Sequence, residues 1–264
     1  MNNPFKYFAL LLILVSAVAC SDYNQIVKGD DYQSKFTRAN NLFDEKEFDR
    51  CIVLYEQVYQ HAPKSGEGEL AYYRLGKSYF EMEDYYMSGY YFSSYIQRFP
   101  YSAKTEEAYF LMSISNVKNS PEFALDQTET EQAIISVQSF IDRYPNSKLI
   151  DSCNKVIDNL RFKLERKDFE QVRLYSKTEN FRAAVTAAEI FIEKYSKSQF
   201  IEEVYYLLVK NSYLLSINSI PSKKLERIEQ TNERFSNFAV LYPNSTYLKE
   251  LKGYIELIGK EKNN

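Results

Sequence analysis

One turn recurs along this chain and constrains most of what it can fold into. The segments YIQRFPYS from Tyr95, FIDRYPNS from Phe140, FIEKYSKS from Phe191 and FAVLYPNS from Phe238 end alike, and VYQHAPKS from Val58 is a weaker fifth. The turn residue falls at Pro63, Pro100, Pro145, Ser196 and Pro243, at spacings of 37, 45, 51 and 47 residues. Proline has no N–H and ends a helix near the residue before it. The serine two residues further on is a favoured N-cap for a following helix. Each motif therefore predicts helix, turn, serine cap, helix.

The helices before these turns carry apolar stripes at helical spacing. Phe48, Cys51, Ile52, Tyr55 and Val58 form the first. Ser88, Phe92, Tyr95 and Ile96 form the second, and Ala133, Val137, Phe140 and Ile141 the third. Ala184, Val185, Ala188 and Ile192, then Ile228, Phe235, Phe238 and Ala239, continue the series. A helix of this kind cannot bury its stripe alone, but stacked helix pairs bury it against neighbours, which makes a solenoid. The composition agrees: seven Gly and seven Pro are too few for a turn-rich sheet sandwich. The 24 Tyr and 18 Phe, with no Trp, suit helix seams that are apolar inside and wet outside.

The unit resembles the tetratricopeptide repeat, a two-helix motif of 34 residues. The second repeat carries the resemblance best, through Tyr72, the Leu75-Gly76 pair, Tyr79, the small Ser88, Phe92, Tyr95 and Pro100. In the first repeat Ala39, Leu42, Cys51, Tyr55, Val58 and Pro63 take the corresponding places. Cys51 then sits at a small, buried helix crossing. Later repeats depart by insertions over Asn119 to Thr128 and Ile217 to Lys223, and Lys148 to Ser176 predicts one extended helix. The expected fold is an all-α solenoid of about five tetratricopeptide-like helix pairs over residues 31–258, with a tail over 259–264.

The amino-terminal residues predict export. Lys6 supplies a positive n-region, and Tyr7 to Val18 is an apolar run too short to span a bilayer. The run ends in Ala17-Val18-Ala19 directly before Cys20, which resembles a lipobox, with Ala17 where leucine is usual. Residues 1–19 then form a signal peptide, Cys20 carries the lipid, and residues 20–30 form a tether. Several acyl chains on one residue anchor stably. Ser21, in place of the aspartate that marks inner-membrane retention, is compatible with the outer membrane. Export permits a disulfide between Cys51 and Cys153, but each falls on an apolar helix face in a different repeat, which favours two buried free thiols.

The remaining chemistry is sparse. His61 is the single histidine and lies at a turn, so the chain offers neither a Cys/His metal cluster nor a Ser-His-Asp set. Glu106-Glu107 and Glu202-Glu203 fall just inside predicted helix starts, where they complement the helix dipole. The net charge is −3 with both signs interleaved and no long basic run, which argues against a nucleic-acid partner. No cofactor and no enzyme activity are expected.

A lipobox followed by five such repeats resembles the BamD family, lipoproteins of the outer-membrane β-barrel assembly machinery. The likeness covers nearly all of the mature chain. It is carried by CSDYNQIVKGDDYQSKF from Cys20, SPEFALDQTETEQAI from Ser120 and FAVLYPNSTYLKEL from Phe238. The resemblance implies a scaffold on the periplasmic face of the outer membrane. Its C-terminal repeats would bind the periplasmic POTRA domains of a BamA-like barrel insertase. Its N-terminal repeats would receive the C-termini of unfolded barrel proteins. In the repeat register Phe36, Asn40 and Phe43, with Tyr73, Lys77 and Phe80, face either a concave groove or the inter-repeat core. As a groove they suit an extended peptide with an aromatic side chain and a terminal carboxylate for Lys77. The alternative function for such a fold is a periplasmic adaptor coordinating cell-wall synthesis or envelope constriction. Against it, no heptad run precedes Phe36.

Overall fold

The computed structural model describes residues 22–262; the predicted signal peptide, Cys20 and the end of the predicted tail lie outside the described residues. Helices and turns make up the whole, with no strand among the described residues. Residues 22–28 form α1. It is followed by α2 (Tyr32–Asp44), α3 (Phe48–His61), α4 (Gly66–Glu81), α5 (Tyr85–Arg98), α6 (Thr105–Asn119) and α7 (Thr128–Arg143). Then come α8 (Ile150–Lys177), α9 (Phe181–Lys194), α10 (Ile201–Ile217), α11 (Pro221–Leu241) and α12 (Leu248–Lys262). Helices pack on their chain neighbours, as a tetratricopeptide-like solenoid requires.

The chain divides into two compact units. One runs to Pro121 and takes in Gln127–Ile157; the other holds Glu122–Asp126 and runs on from Asp158. The first unit buries Leu42, Tyr55, Leu75, Phe92 and Tyr95, with a satellite of Val137, Phe140, Cys153 and Ile157. The second buries Phe169, Val172, Phe191, Phe238 and Leu251. Helix α8 is the extended helix expected from the sequence.

Two turns alternate along the solenoid, each with a physical cause. After α2, α4 and α8 the chain passes through a left-handed residue, Lys46 (φ 63°), Glu83 (φ 62°) and Glu179 (φ 58°). The following amides close back on the helix, Glu47 N–H to the Leu42 carbonyl at 2.8 Å and Asp84 N–H to that of Tyr79 at 2.9 Å. This is a Schellman closure built without glycine. Helices α6 and α10, where the insertions fall, end differently.

After α3, α5, α7, α9 and α11 comes the proline-type turn. The amides of Ser65, Ser102, Ser147, Ser198 and Ser245 donate to the carbonyls of Ala62, Phe99, Tyr144, Tyr195 and Tyr242 at 3.0–3.1 Å. Only Ser65 is the expected N-cap, its Oγ accepting from Gly68 N–H at 2.9 Å. At the other four the hydroxyl accepts from the amide two residues on, as in Ser198 with Phe200 N–H at 2.9 Å. The helix then starts two residues later than it does after Ser65. The serine organises the turn instead of capping the helix, because its carbonyl also accepts the amide three residues on. The second insertion also differs from expectation: Asn218–Ile220 is a short link, and the extra length lies in α11, which Pro221 opens.

Small side chains let the helices cross closely. The Cys51 thiol lies 3.3 Å from Ser78 Oγ between α3 and α4, and Ser115 Oγ donates to Ser88 Oγ at 3.0 Å between α5 and α6. The pairs occupy equivalent places in successive repeats. Both remaining cysteines are free and buried, as the apolar-face positions predict. At Gly76 an added Cβ would stand 2.9 Å from the Phe92 ring, so glycine sets that crossing distance.

Candidate functional site

The candidate groove is built on α2 and α4, the first helices of the first two pairs. Asn40 on α2 accepts two hydrogen bonds at Oδ1, from Tyr55 Oη on α3 at 2.9 Å and from Arg74 Nη1 on α4 at 2.7 Å. Arg74 Nη1 also donates to Tyr55 Oη at 3.0 Å, and the guanidinium lies 5.0 Å from the Phe43 ring centre. Phe43 in turn meets Phe48 and Tyr55 edge-on. The structure thus gathers Asn40, Phe43, Tyr55 and Arg74 into one half-buried cluster. Burial pushes the Tyr55 phenol above its ordinary value, against the lowering influence of Arg74. Tyr55 therefore stays a neutral donor and acceptor. Arg74 pairs with no carboxylate among the described residues.

The other predicted positions divide. Phe36 and Phe80 are half-buried against the first core, and Phe80 meets Tyr85 edge-on at 5.4 Å. Lys77 is half-exposed and its ammonium stands 3.5 Å from the Glu107 carboxylate on α6. Tyr73 belongs to the core: it is 4 % exposed and packs edge-on against Phe92 and Tyr95. Its hydroxyl is buried with no hydrogen-bond partner among the described residues, and burial together with the neighbouring Glu107 carboxylate raises its phenol. Tyr73 thus takes the inter-repeat core position, the alternative to a groove at this register. Sequence reasoning missed Arg74, which stands one residue off the register of Tyr73 and Lys77. Its signal was available: a cation one turn before Lys77 on the same helix.

Other chemistry-bearing residues have structural roles. Glu106, Glu107, Glu202 and Glu203 occupy helix first turns. His61 is exposed and stacks on Tyr32 with ring centres 3.7 Å apart. No group of three or more His, Cys, Asp or Glu is gathered as a metal site among the described residues. No described helix is long and apolar enough to cross a membrane.

Beyond geometry, the chain matches the family described as YfiO, outer membrane lipoprotein, over residues 29–189 and 173–261. The chain belongs to that family. Its YfiO-matched stretches hold both groove helices and run on into α12. Among curated relatives, the outer membrane protein assembly factor BamD of Caulobacter vibrioides is 19% identical over 221 residues, 82% of this chain and 72% of that protein. The protein of the same name from Helicobacter pylori is 23% identical over 151 residues, 54% of this chain and 67% of that protein. A YfiO chain with this helical-pair architecture is an outer-membrane lipoprotein of the BamD kind.

Proposed function

We propose that this protein is a non-enzymatic scaffold of the outer-membrane β-barrel assembly complex. Lipid on Cys20 anchors it to the periplasmic face of the outer membrane. Its C-terminal repeats bind the POTRA domains of a BamA-like insertase, and its first two repeats receive the C-termini of unfolded barrel proteins. Family membership and the two BamD relatives support the assembly role. The observation that carries the substrate site is Arg74, a half-buried guanidinium flanked by Phe43 and held by Asn40, with no carboxylate of its own among the described residues. Such a cation suits an arriving terminal carboxylate, with Phe36, Phe43 and Phe80 offering aromatic contact and Lys77 a second charge.

Two measurements test this reading. A C-terminally tagged chain purified from detergent-solubilised envelopes, with Cys20→Ala as control, is expected to carry a large barrel protein with periplasmic repeats in near-stoichiometric amount. Recovery of cell-wall enzymes alone would instead assign the chain to envelope constriction. In a fluorescence titration with a barrel C-terminal peptide, Arg74→Met is expected to weaken binding by about 10- to 100-fold, the worth of one charge-assisted contact. Lys77→Glu should weaken it less, since Glu107 already offsets that charge. Unchanged affinity in both variants removes the groove from the proposal.

A further inference from the structure

The chain is folded almost from the point of its proposed lipid. Residues 22–28, expected to belong to a tether, form α1 and are fastened to the first repeat. Tyr23 Oη donates to the Arg50 carbonyl at 3.0 Å, and the Arg50 guanidinium lies 4.3 Å from the Tyr23 ring centre. Ile26 and Val27 pack against the first core. The Val27 carbonyl accepts from Lys35 Nζ at 3.1 Å, and the same ammonium donates to Gln57 Oε1 at 2.7 Å. Lys35 is 3 % exposed, so this clamp sits inside the fold. Gly29 N–H closes α1 on the Gln25 carbonyl at 3.0 Å, and Asp31 caps α2 through Ser34 N–H. No slack remains between Asp22 and the first helix pair.

We propose that α1 and the first turn of α3 form a membrane-apposed face, held at a fixed short standoff against phospholipid headgroups. This rests on the lipid attachment at Cys20 proposed above. Two residues of chain reach at most about 7 Å. That is comparable with the depth of the headgroup layer, about 5–8 Å on each side of the hydrocarbon. The acylated residue therefore brings Asp22 to the headgroups, and the Tyr23–Arg50 contact and the Lys35 bridge from Val27 to Gln57 bring α3 with it. The exposed side chains at this edge are polar and of both signs: Asp22, Gln25 and Lys28 on α1, with Lys46 and Glu47 in the turn before α3 and Asp49 in its first turn. They suit contact with a zwitterionic headgroup surface and offer nothing apolar to insert. The lipid acts as a rigid mount that fixes where the first repeat sits above the membrane.

The test uses the lipidated full chain in phosphatidylcholine vesicles carrying a headgroup-linked quencher. A fluorophore is placed at Asp49→Cys; Cys51 and Cys153 are buried and stay unlabelled in the folded protein. The comparison protein carries a Gly/Ser insertion of about 20 residues between Ser21 and Asp22, whose r.m.s. span is about 25 Å. Strong quenching is expected without the insertion. With it, quenching should fall to the level of the Cys20→Ala protein, and Tyr23→Ala should give a partial loss. Vesicle flotation reads the anchor separately. Protein that does not float overturns the lipid attachment. Protein that floats with an unquenched probe, or with quenching indifferent to the insertion, overturns the fixed mount alone.

Discussion

Replacing Gly68 by alanine tests the turn that joins the first two repeats. An ideal Cβ on Gly68 would stand 2.1 Å from the carbonyl oxygen of Ala62, and the obstacle is backbone, not a flexible side chain. That oxygen must retreat by about 1 Å to reach the closest approach real Cβ atoms show. It also accepts the Ser65 amide at 3.1 Å and the Ser65 hydroxyl at 2.9 Å, so moving it loosens the N-cap of α4. Backbone displacement of this kind costs about 1–3 kcal/mol, and the weakened cap about 1 more. Against this stands about 0.4–1 kcal/mol from the lower entropy of the unfolded alanine chain. A net loss of about 2–3 kcal/mol is expected. Gly66 is the internal control: it lies in the same turn and its Cβ would meet nothing within 4 Å. Gly66→Ala should therefore be neutral or stabilise by up to about 1 kcal/mol. Native-state hydrogen exchange on the α3 and α4 amides is the assay, because it reads the first unit by itself. The expected loss corresponds to about 30- to 150-fold faster exchange in Gly68→Ala. If the two variants exchange alike, the turn yields at no cost and the steric reasoning fails.

Three further outcomes are expected. Glu83→Gly relieves a left-handed non-glycine residue and should stabilise the first unit by about 0.5–1 kcal/mol in the same exchange measurement; a destabilised variant would mean that the Glu83 side chain does more than occupy the turn. Burial works to raise the Glu250 carboxyl, but hydrogen bonds from Tyr254 and Tyr206 and the Lys210 charge outweigh it and hold it below its ordinary value. A depressed folded value stabilises above the unfolded carboxyl range and is lost as pH falls through the folded value, so α12 should loosen from α10 on acidification near and below pH ~4, and Glu250→Gln should flatten that dependence in exchange on α12. Burial pushes the Cys51 and Cys153 thiols up, so both should resist alkylation at pH ~8 in the native protein and react on unfolding; rapid labelling of either would place that thiol outside the core.

Much of this architecture is legible in the chain because the repeats state it redundantly. The recurrent turn placed the ends of α3, α5, α7, α9 and α11, and the apolar stripes hold Tyr55, Phe92, Phe140 and Phe238, all of them core. The small Cys51 foretold a close crossing, and its thiol meets Ser78 between α3 and α4. The serine cap was legible only in part. A hydroxyl two residues past proline satisfies either a helix amide or a turn amide. The choice depends on whether the next helix begins immediately, as at Ser65, or two residues later. The candidate groove was read through a fixed register, whose residues Asn40 and Lys77 are half-exposed while Tyr73 has its ring claimed by the neighbouring α5.

By itself the sequence determined the helical class, the pairing of helices, the extended α8 and the small residues at crossings, because these follow from periodicity and local turn chemistry within a few dozen residues. Tertiary structure alone decided which polar side chains meet. Arg74 lies 34 residues from Asn40 and 19 from Tyr55, and Tyr23 lies 27 from Arg50. Contacts at such separations depend on how far one helix is rotated against the next. A rotation of one residue, about 100° around a helix, exchanges the core ring of Tyr73 for the half-buried cation of Arg74. That rotation is set by the summed packing of all the neighbouring side chains, and no single stretch of sequence encodes it.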